Sequence, residues 1–311
     1  MKKTEKPINW SDREHVRTLV EQRKFLWNED YIDLLVKLIG LKPGNIIADI
    51  GCGLGYLGHI YGKFITPSGK YIGVDKNGKL LIMGSKANKD FKFIRGGAEK
   101  IPLRDESVDF AMCHTLLLHL KEPEIAIKDM IRITKKRGKV IAFEPNNFGG
   151  ICSGWNNLKE TPLEDLLERV EHTYRIYKGL EKLGFGDWRI GEKMPYLFKK
   201  CGLKNIEVRM NEKIHAIIPP YNTPELKKRS NEHLKSLEDF LKSTKKKRKE
   251  NILEGKQFYL AGGGSEKGFE SYIKNQEKKW GKESGEVIRM LKEESLYSVG
   301  ANFFYVIIGE K

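Results

Sequence analysis

Three features of the sequence predict an α/β fold on a mostly parallel sheet with helices on both faces. Short apolar runs alternate with helical stretches between residues 46 and 144, as helix-covered parallel sheets require. The first run, Ile46-Ile47-Ala48-Asp49-Ile50, is apolar at nearly every position, which suits a strand buried on both sides. A strand-like segment, Asn302–Ile308, lies at the end and needs a sheet to join.

In order, Val16–Ile39 has apolar residues at helical spacing and is closed by Gly40 and Pro43. Strands are then expected at Asn45–Ile50, Lys70–Asp75, Phe91–Arg95, Ser107–Cys113 and Lys139–Glu144. Helices are expected between them at Tyr56–Phe64, Gly78–Asn88 and Pro123–Thr134. The alternation stops at Asn146. A polar, glycine-rich stretch leads to a helix over Pro162–Leu183. Helix Lys193–Cys201 and strand Ile206–Asn211 resume the rhythm. Charged helices fill Pro219–Ser298, with Ala261–Ser265 expected as a flexible joint. With Asn302–Ile308 this makes seven strands, the last two finishing one sheet around an insertion.

The chain has 311 residues, 39% hydrophobic and 32% charged, which is enough to bury a core and excludes disorder throughout. Its four cysteines, Cys52, Cys113, Cys152 and Cys201, form no CxxC pair. No metal site and no disulfide scaffold are therefore expected, and a reduced compartment is. No apolar run approaches the ~20 residues of a spanning helix, and Met1–Asp12 does not read as a signal peptide. A cytoplasmic location with no membrane partner is the expectation. Lys and Arg exceed Asp and Glu by 57 to 42, a formal charge of +15. That surplus suits an acidic partner or means nothing beyond a lysine-rich composition.

Asp49-Ile50-Gly51-Cys52-Gly53-Leu54-Gly55 joins the first strand to the next helix. Glycines let the backbone turn tightly and approach a ligand, and the helix offers unpaired N–H groups. Asp75 ends the second strand, where an acid can accept from both hydroxyls of a ribose. Lys76 adjoins it and is counted with it. A nucleoside-bearing cofactor is the natural ligand of such an edge. Gly53-x-Gly55-x-x-Gly58 matches the dinucleotide fingerprint formally. It starts late, however, and Asp49 precedes it. A carboxylate repels a pyrophosphate and attracts ammonium and sulfonium groups. S-adenosylmethionine carries both, so it is favoured over NAD.

On these residues the sequence resembles the class I S-adenosylmethionine-dependent methyltransferases, in their small-molecule branch. The resemblance runs over Tyr31–Asn146 and the terminal strand pair. It adds Arg95–Pro102, Ser107–Phe110 and Leu116–Leu120 to the motifs above. It implies a Rossmann-like seven-stranded sheet. It also implies that Asp49 faces the methionine amino group above Gly51, Gly53 and Gly55, and that Asp75 holds the ribose. Ala98 and Glu99 would lie by the adenine and His114 near the methionine end. Where many members carry an acid before the alanine, this chain has Gly97, so adenine recognition passes to Glu99 or to backbone. Tyr31 would reach the methionine carboxylate and Trp27 would line the acceptor side, the alternative being that both are ordinary core aromatics.

The expected organisation is a helical cap (1–45), a cofactor-binding core (46–145), an insertion (146–190), a core helix and strand (191–214), a second insertion (215–298) and a last core strand (299–311). Both insertions are expected to form a helical lid that excludes water. Methyl transfer needs a base only when the acceptor must lose a proton. His119 and Glu144 are the candidates, each with a structural alternative: a packing histidine and a backbone-bonded acid. They favour O-methylation of a small or medium-sized acceptor, with N- or C-methylation open, and the positive surplus admits an anionic one. The rival readings are an RNA or protein methyltransferase using the basic surface, and a cofactor-binding module without catalysis. Lys245-Lys246-Lys247-Arg248-Lys249 is the clearest basic run, but it has acids nearby and no aromatics within it. Nucleic acid is therefore the weaker partner. Oligomeric state and acceptor identity have no sequence signal.

Overall fold

The structure, a computed structural model, describes residues 26–151, 154–242 and 245–311, with the side chains of residues 245–249 outside that set. Cys152 and the expected helical residues before Leu26 lie outside the described residues. The chain divides into two compact units. One comprises residues up to Pro145 with Ile190–Lys213 and Phe304–Lys311; the other comprises Asn146–Arg189 and Ile214–Phe303.

The first unit is built on strands β1 (Ile46–Ile50), β2 (Lys70–Asp75), β3 (Lys92–Arg95), β4 (Val108–His114), β5 (Thr134–Pro145), β7 (Lys204–Met210) and β10 (Phe304–Glu310). Its helices are α1 (Glu29–Ile39), α2 (Tyr56–Ile65), α3 (Gly78–Ala87), α4 (Pro123–Ile133) and α6 (Ile190–Lys200). The seven strands lie in the order β3-β2-β1-β4-β5-β10-β7. All neighbours up to β5 are parallel, and β10 runs antiparallel between β5 and β7. The sheet is therefore the mostly parallel, seven-stranded, helix-covered one expected, and the terminal strand pair does complete it.

Helix α1 ends where Gly40 takes a left-handed φ of 79° and its amide closes on Lys37 and Val36. Its buried Leu35 and Ile39 join Leu57 and Tyr61 of α2 over Ile47, Met112, Ile141, Val306 and Ile308. Each fully buried aliphatic side chain there contributes about 1.5–3 kcal/mol. Along β10, Val306 and Ile308 serve that layer, while Tyr305 points to the other face, against Gly191 of α6. These two layers fix the carboxyl edge of β1, β2, β4 and β5.

The second unit holds α5 (Leu163–Lys182), α7 (Pro224–Lys242), α8 (Lys245–Ala261) and α9 (Glu266–Lys292). It also holds a small antiparallel sheet of β6 (Trp155–Asn156), β9 (Ser298–Ala301) and β8 (Ile214–Ile217), absent from the sequence expectation. Ala261–Ser265 is a close-packed turn, not a loose joint. A side chain on Gly262 would meet the carbonyl of Arg175, and one on Gly264 the ring of Tyr259. Ser265 caps α9, accepting from the amide of Gly268 at 3.1 Å. The basic run lies in α8. Among the described residues no helix is long and apolar enough to cross a membrane.

Candidate functional site

The predicted site residues gather at the carboxyl edge of β1, β2, β4 and β5. Strand β1 delivers Asp49, 2% exposed, beneath the glycine loop. Gly51, Gly53 and Gly55 have φ of 71°, 54° and 87°, the left-handed region that only glycine enters at little cost. The amides of Gly51 and Cys52 both donate to the Val74 carbonyl, at 2.7 and 3.1 Å, tying the loop to β2. A Cβ on Gly51 would meet Leu116, and one on Gly55 would meet Phe93. One on Gly53 would have nothing within 4 Å. Of the three, Gly53 presents its backbone to open space, where a ligand can lie.

Asp75 braces this loop. Its Oδ2 accepts from the Gly53 amide at 2.9 Å and its Oδ1 from the Asn77 amide at 2.8 Å. A carboxylate offers about four lone-pair sites, so capacity for a ribose diol remains. Lys76 is exposed, and its carbonyl accepts from Arg95 Nε at 3.4 Å. The next segment turns sharply, with Gly97 bridged to Lys100 and Ala98 buried. The Glu99 carboxylate folds back to 3.5 Å from where a Gly97 Cβ would stand. A carboxylate thus lies beside Gly97. Asp129 accepts from the Ile101 amide at 2.5 Å, and Arg132 donates to the carbonyls of Ile101 and Leu103, both at 2.9 Å. This brace from α4 had no sequence motif.

At the end of β4, His114 is buried among three rings. It stacks on Phe143 and Phe304 at 6.0 and 5.4 Å and meets the edge of Tyr56 at 5.3 Å. Thr115 follows at φ 52°, strained for a β-branched residue. That reversal aims three successive amides at Glu144. Leu116 and Leu117 donate to Oε1 at 2.9 and 2.8 Å, and Leu118 to Oε2 at 3.4 Å. Glu144 is fully buried, and burial pushes its carboxyl up to about 7 against the opposing pull of those amides. The expected catalytic carboxylate is thus the clamp of the turn after β4.

His119 ends that turn, a 3₁₀ segment over Leu117–His119. Burial, and then the charge of Lys76, holds its imidazole down to about 4. It is therefore neutral at pH 7 and a weak base. Tyr31 does not sit as expected. It donates its phenol proton to the Met210 carbonyl at 2.6 Å, so it has no proton to offer a carboxylate while that bond stands. Its ring stacks on Trp27 at 5.9 Å, and Trp27, 7% exposed, packs edge-on against Phe143 as a core aromatic.

The Asp49 environment also contains Tyr71, which the sequence did not single out. Its phenol donates to Asp49 Oδ2 at 2.5 Å, both groups being buried. Together, the open backbone at Gly53, the buried carboxylate of Asp49 and the braced Asp75 fit a ligand with an amino acid cation at one end and a ribose at the other.

Comparison with known proteins finds methyltransferases similar to part of this chain. Residues 48–142 match the family profile of a methyltransferase domain. A ubiquinone/menaquinone biosynthesis C-methyltransferase of Pseudomonas fluorescens is 30% identical over 115 residues, 35% of this chain and 45% of its own length. A demethylmenaquinone methyltransferase of Lactobacillus johnsonii is 31% identical over 110 residues, 33% of this chain and 45% of its own. The match thus spans less than half the length of these curated relatives. A crystal structure of a SAM-dependent methyltransferase from Aquifex aeolicus aligns over 65% of this chain and 93% of its own, at 19% identity and a TM-score of 0.45. Over residues 48–142 the chain is similar to a methyltransferase domain.

Proposed function

We propose that the protein transfers the methyl group of S-adenosylmethionine to a small or medium-sized acceptor that is already nucleophilic at neutral pH. The carrying observation is the buried carboxylate of Asp49 beside the open backbone of Gly53, with Asp75 braced across the loop. Asp49 would take the amino group, and Asp75, with Lys76 adjoining, the ribose. Gly97, Ala98 and Glu99 would flank the adenine, with Glu99 supplying its acid. His114 would wall the methionine end as part of an aromatic stack. When bound, the cofactor supplies the activated methyl group, and the protein supplies position and electrostatics.

O-methylation rested on His119 and Glu144 as bases. A clamped Glu144 and a weakly basic His119 move the preference to an electron-rich carbon or an amine, in line with the C-methyltransferase name of the Pseudomonas fluorescens relative.

Calorimetry tests the cofactor half: S-adenosylhomocysteine should bind and NAD should give no heat. Binding of NAD alone would sink the reading. For the acceptor half, release of S-adenosylhomocysteine should rise with an electron-rich carbon or amine acceptor and stay flat with RNA. A general base contributes ~10²–10⁴-fold. His119→Ala should lower kcat less than tenfold, and a hundredfold fall would restore its role as a base.

A further inference from the structure

We propose that Tyr71 is a positioning residue that holds the Asp49 carboxylate ionised and aimed, and so sets the lowest pH at which the cofactor binds. This rests on the reading that Asp49 faces the cofactor's amino group.

Tyr71 lies on β2, paired with Ile47 of β1, two residues before Asp49. Its ring is pinned by Phe91 at 4.6 Å and Phe93 at 6.3 Å. It also occupies space that glycines leave in α2 and the loop. A Cβ on Gly58 would stand 2.9 Å from Tyr71 Cζ, and one on Gly55 3.6 Å from the phenol oxygen. The last glycine of the apparent dinucleotide fingerprint thus makes room for the rings of Phe91 and Tyr71, with no pyrophosphate needed to explain it. Through that gap the phenol reaches Asp49 Oδ2 at 2.5 Å. The amide of Gly58 faces the same phenol oxygen and fixes its direction.

The groups around Asp49 make this bond matter. Cys52 stands on the loop, Cys113 on β4, and Glu144 on β5 behind Cys113 at 3.9 Å. Burial, then Glu144 and Asp49, pushes the Cys113 thiol up, so it stays protonated. Burial, then Asp49, pushes the Tyr71 phenol well above its ordinary 10, so it remains a donor throughout the physiological range. A permanent donor to a carboxylate favours its ionised form. It also occupies Oδ2 and so orients the carboxylate.

Tyr71→Phe keeps the ring and removes only the donor. A hydrogen bond to a charged group contributes ~1.5–3 kcal/mol. Calorimetry with S-adenosylhomocysteine should therefore show affinity about tenfold weaker at pH 7.5. The low-pH loss of binding should begin at higher pH than in the wild type. Tyr71→Phe should add nothing in an Asp49→Asn background. Gly58→Ala crowds the rings of Phe91 and Tyr71 while keeping both polar groups and should reproduce the shifted pH profile, which covers a Tyr71→Phe protein that fails to fold. Wild-type affinity and pH profile in folded Tyr71→Phe or Gly58→Ala protein would overturn the role of Tyr71. If Asp49→Asn itself binds normally, the reading of Asp49 falls, and the role of Tyr71 with it.

Discussion

Asp49→Asn is expected to lower affinity for S-adenosylhomocysteine about 100-fold, the equivalent of ~3 kcal/mol. The substitution is nearly isosteric, so the loss should come mainly from charge. Asp49 is 2% exposed, leaving little water to screen its interaction with an ammonium group. The amide also offers Tyr71 a weaker acceptor. S-adenosylmethionine adds a sulfonium that S-adenosylhomocysteine lacks. A larger loss for the former would show that the carboxylate is also felt at the reacting sulfur. Equal affinity for wild type and variant, measured by calorimetry on folded protein, would remove Asp49 from the site.

Glu144→Ala should be the most destabilising single change at this edge. It removes the acceptor of three inward-facing amides, those of Leu116, Leu117 and Leu118. An unsatisfied buried amide costs ~1–3 kcal/mol. A total loss of at least ~3 kcal/mol and a fall in Tm of about 10 °C are expected. The sign of the pH effect follows from the raised folded value. Between the ordinary 4.5 and about 7 the folded protein holds a proton that the unfolded chain has released. That contribution is fully present below pH 4.5 and is lost as pH rises through 7. At ~1.4 kcal/mol per pH unit it amounts to ~3 kcal/mol. The depressed His119 acts oppositely, its contribution being present above pH 6.5 and lost as pH falls through about 4. Comparing wild type with Glu144→Gln isolates the carboxyl: the Tm advantage of wild type should shrink from pH 5 to pH 8. Parallel curves would mean that Glu144 keeps an ordinary acidity.

The main sheet was legible because its signals are local. Strand β1 announces itself by five apolar-flanked positions, and the loop by three glycines that the backbone cannot replace at φ of 54° to 87°. The small sheet was not legible. Strand β6 has two residues, and its partner β9 lies more than 140 positions away, so no periodicity reveals it. The site divides in the same way. Asp49 and Asp75 declare themselves by standing at strand ends. Glu144 also stands at a strand end, yet its partners are backbone amides aimed by the left-handed Thr115, which composition does not encode. Tyr31 and Tyr71 look alike as strand- or helix-borne aromatics. Only the fold shows that one phenol serves Met210 and the other Asp49.

The glycine loop has a consequence for reagent chemistry. Cys52 sits in the middle of that loop, yet its sulfur lies 2.7 Å from where a Cβ on Gly73 would be, and the residue is 2% exposed. The thiol points into the sheet, filling a notch left by a glycine on β2. Cys113 is buried as well, and only Cys201 among the described cysteines is partly exposed. An alkylating agent should therefore modify Cys201 before it reaches the loop. A covalent warhead carried on a cofactor analogue would find no accessible sulfur at Cys52.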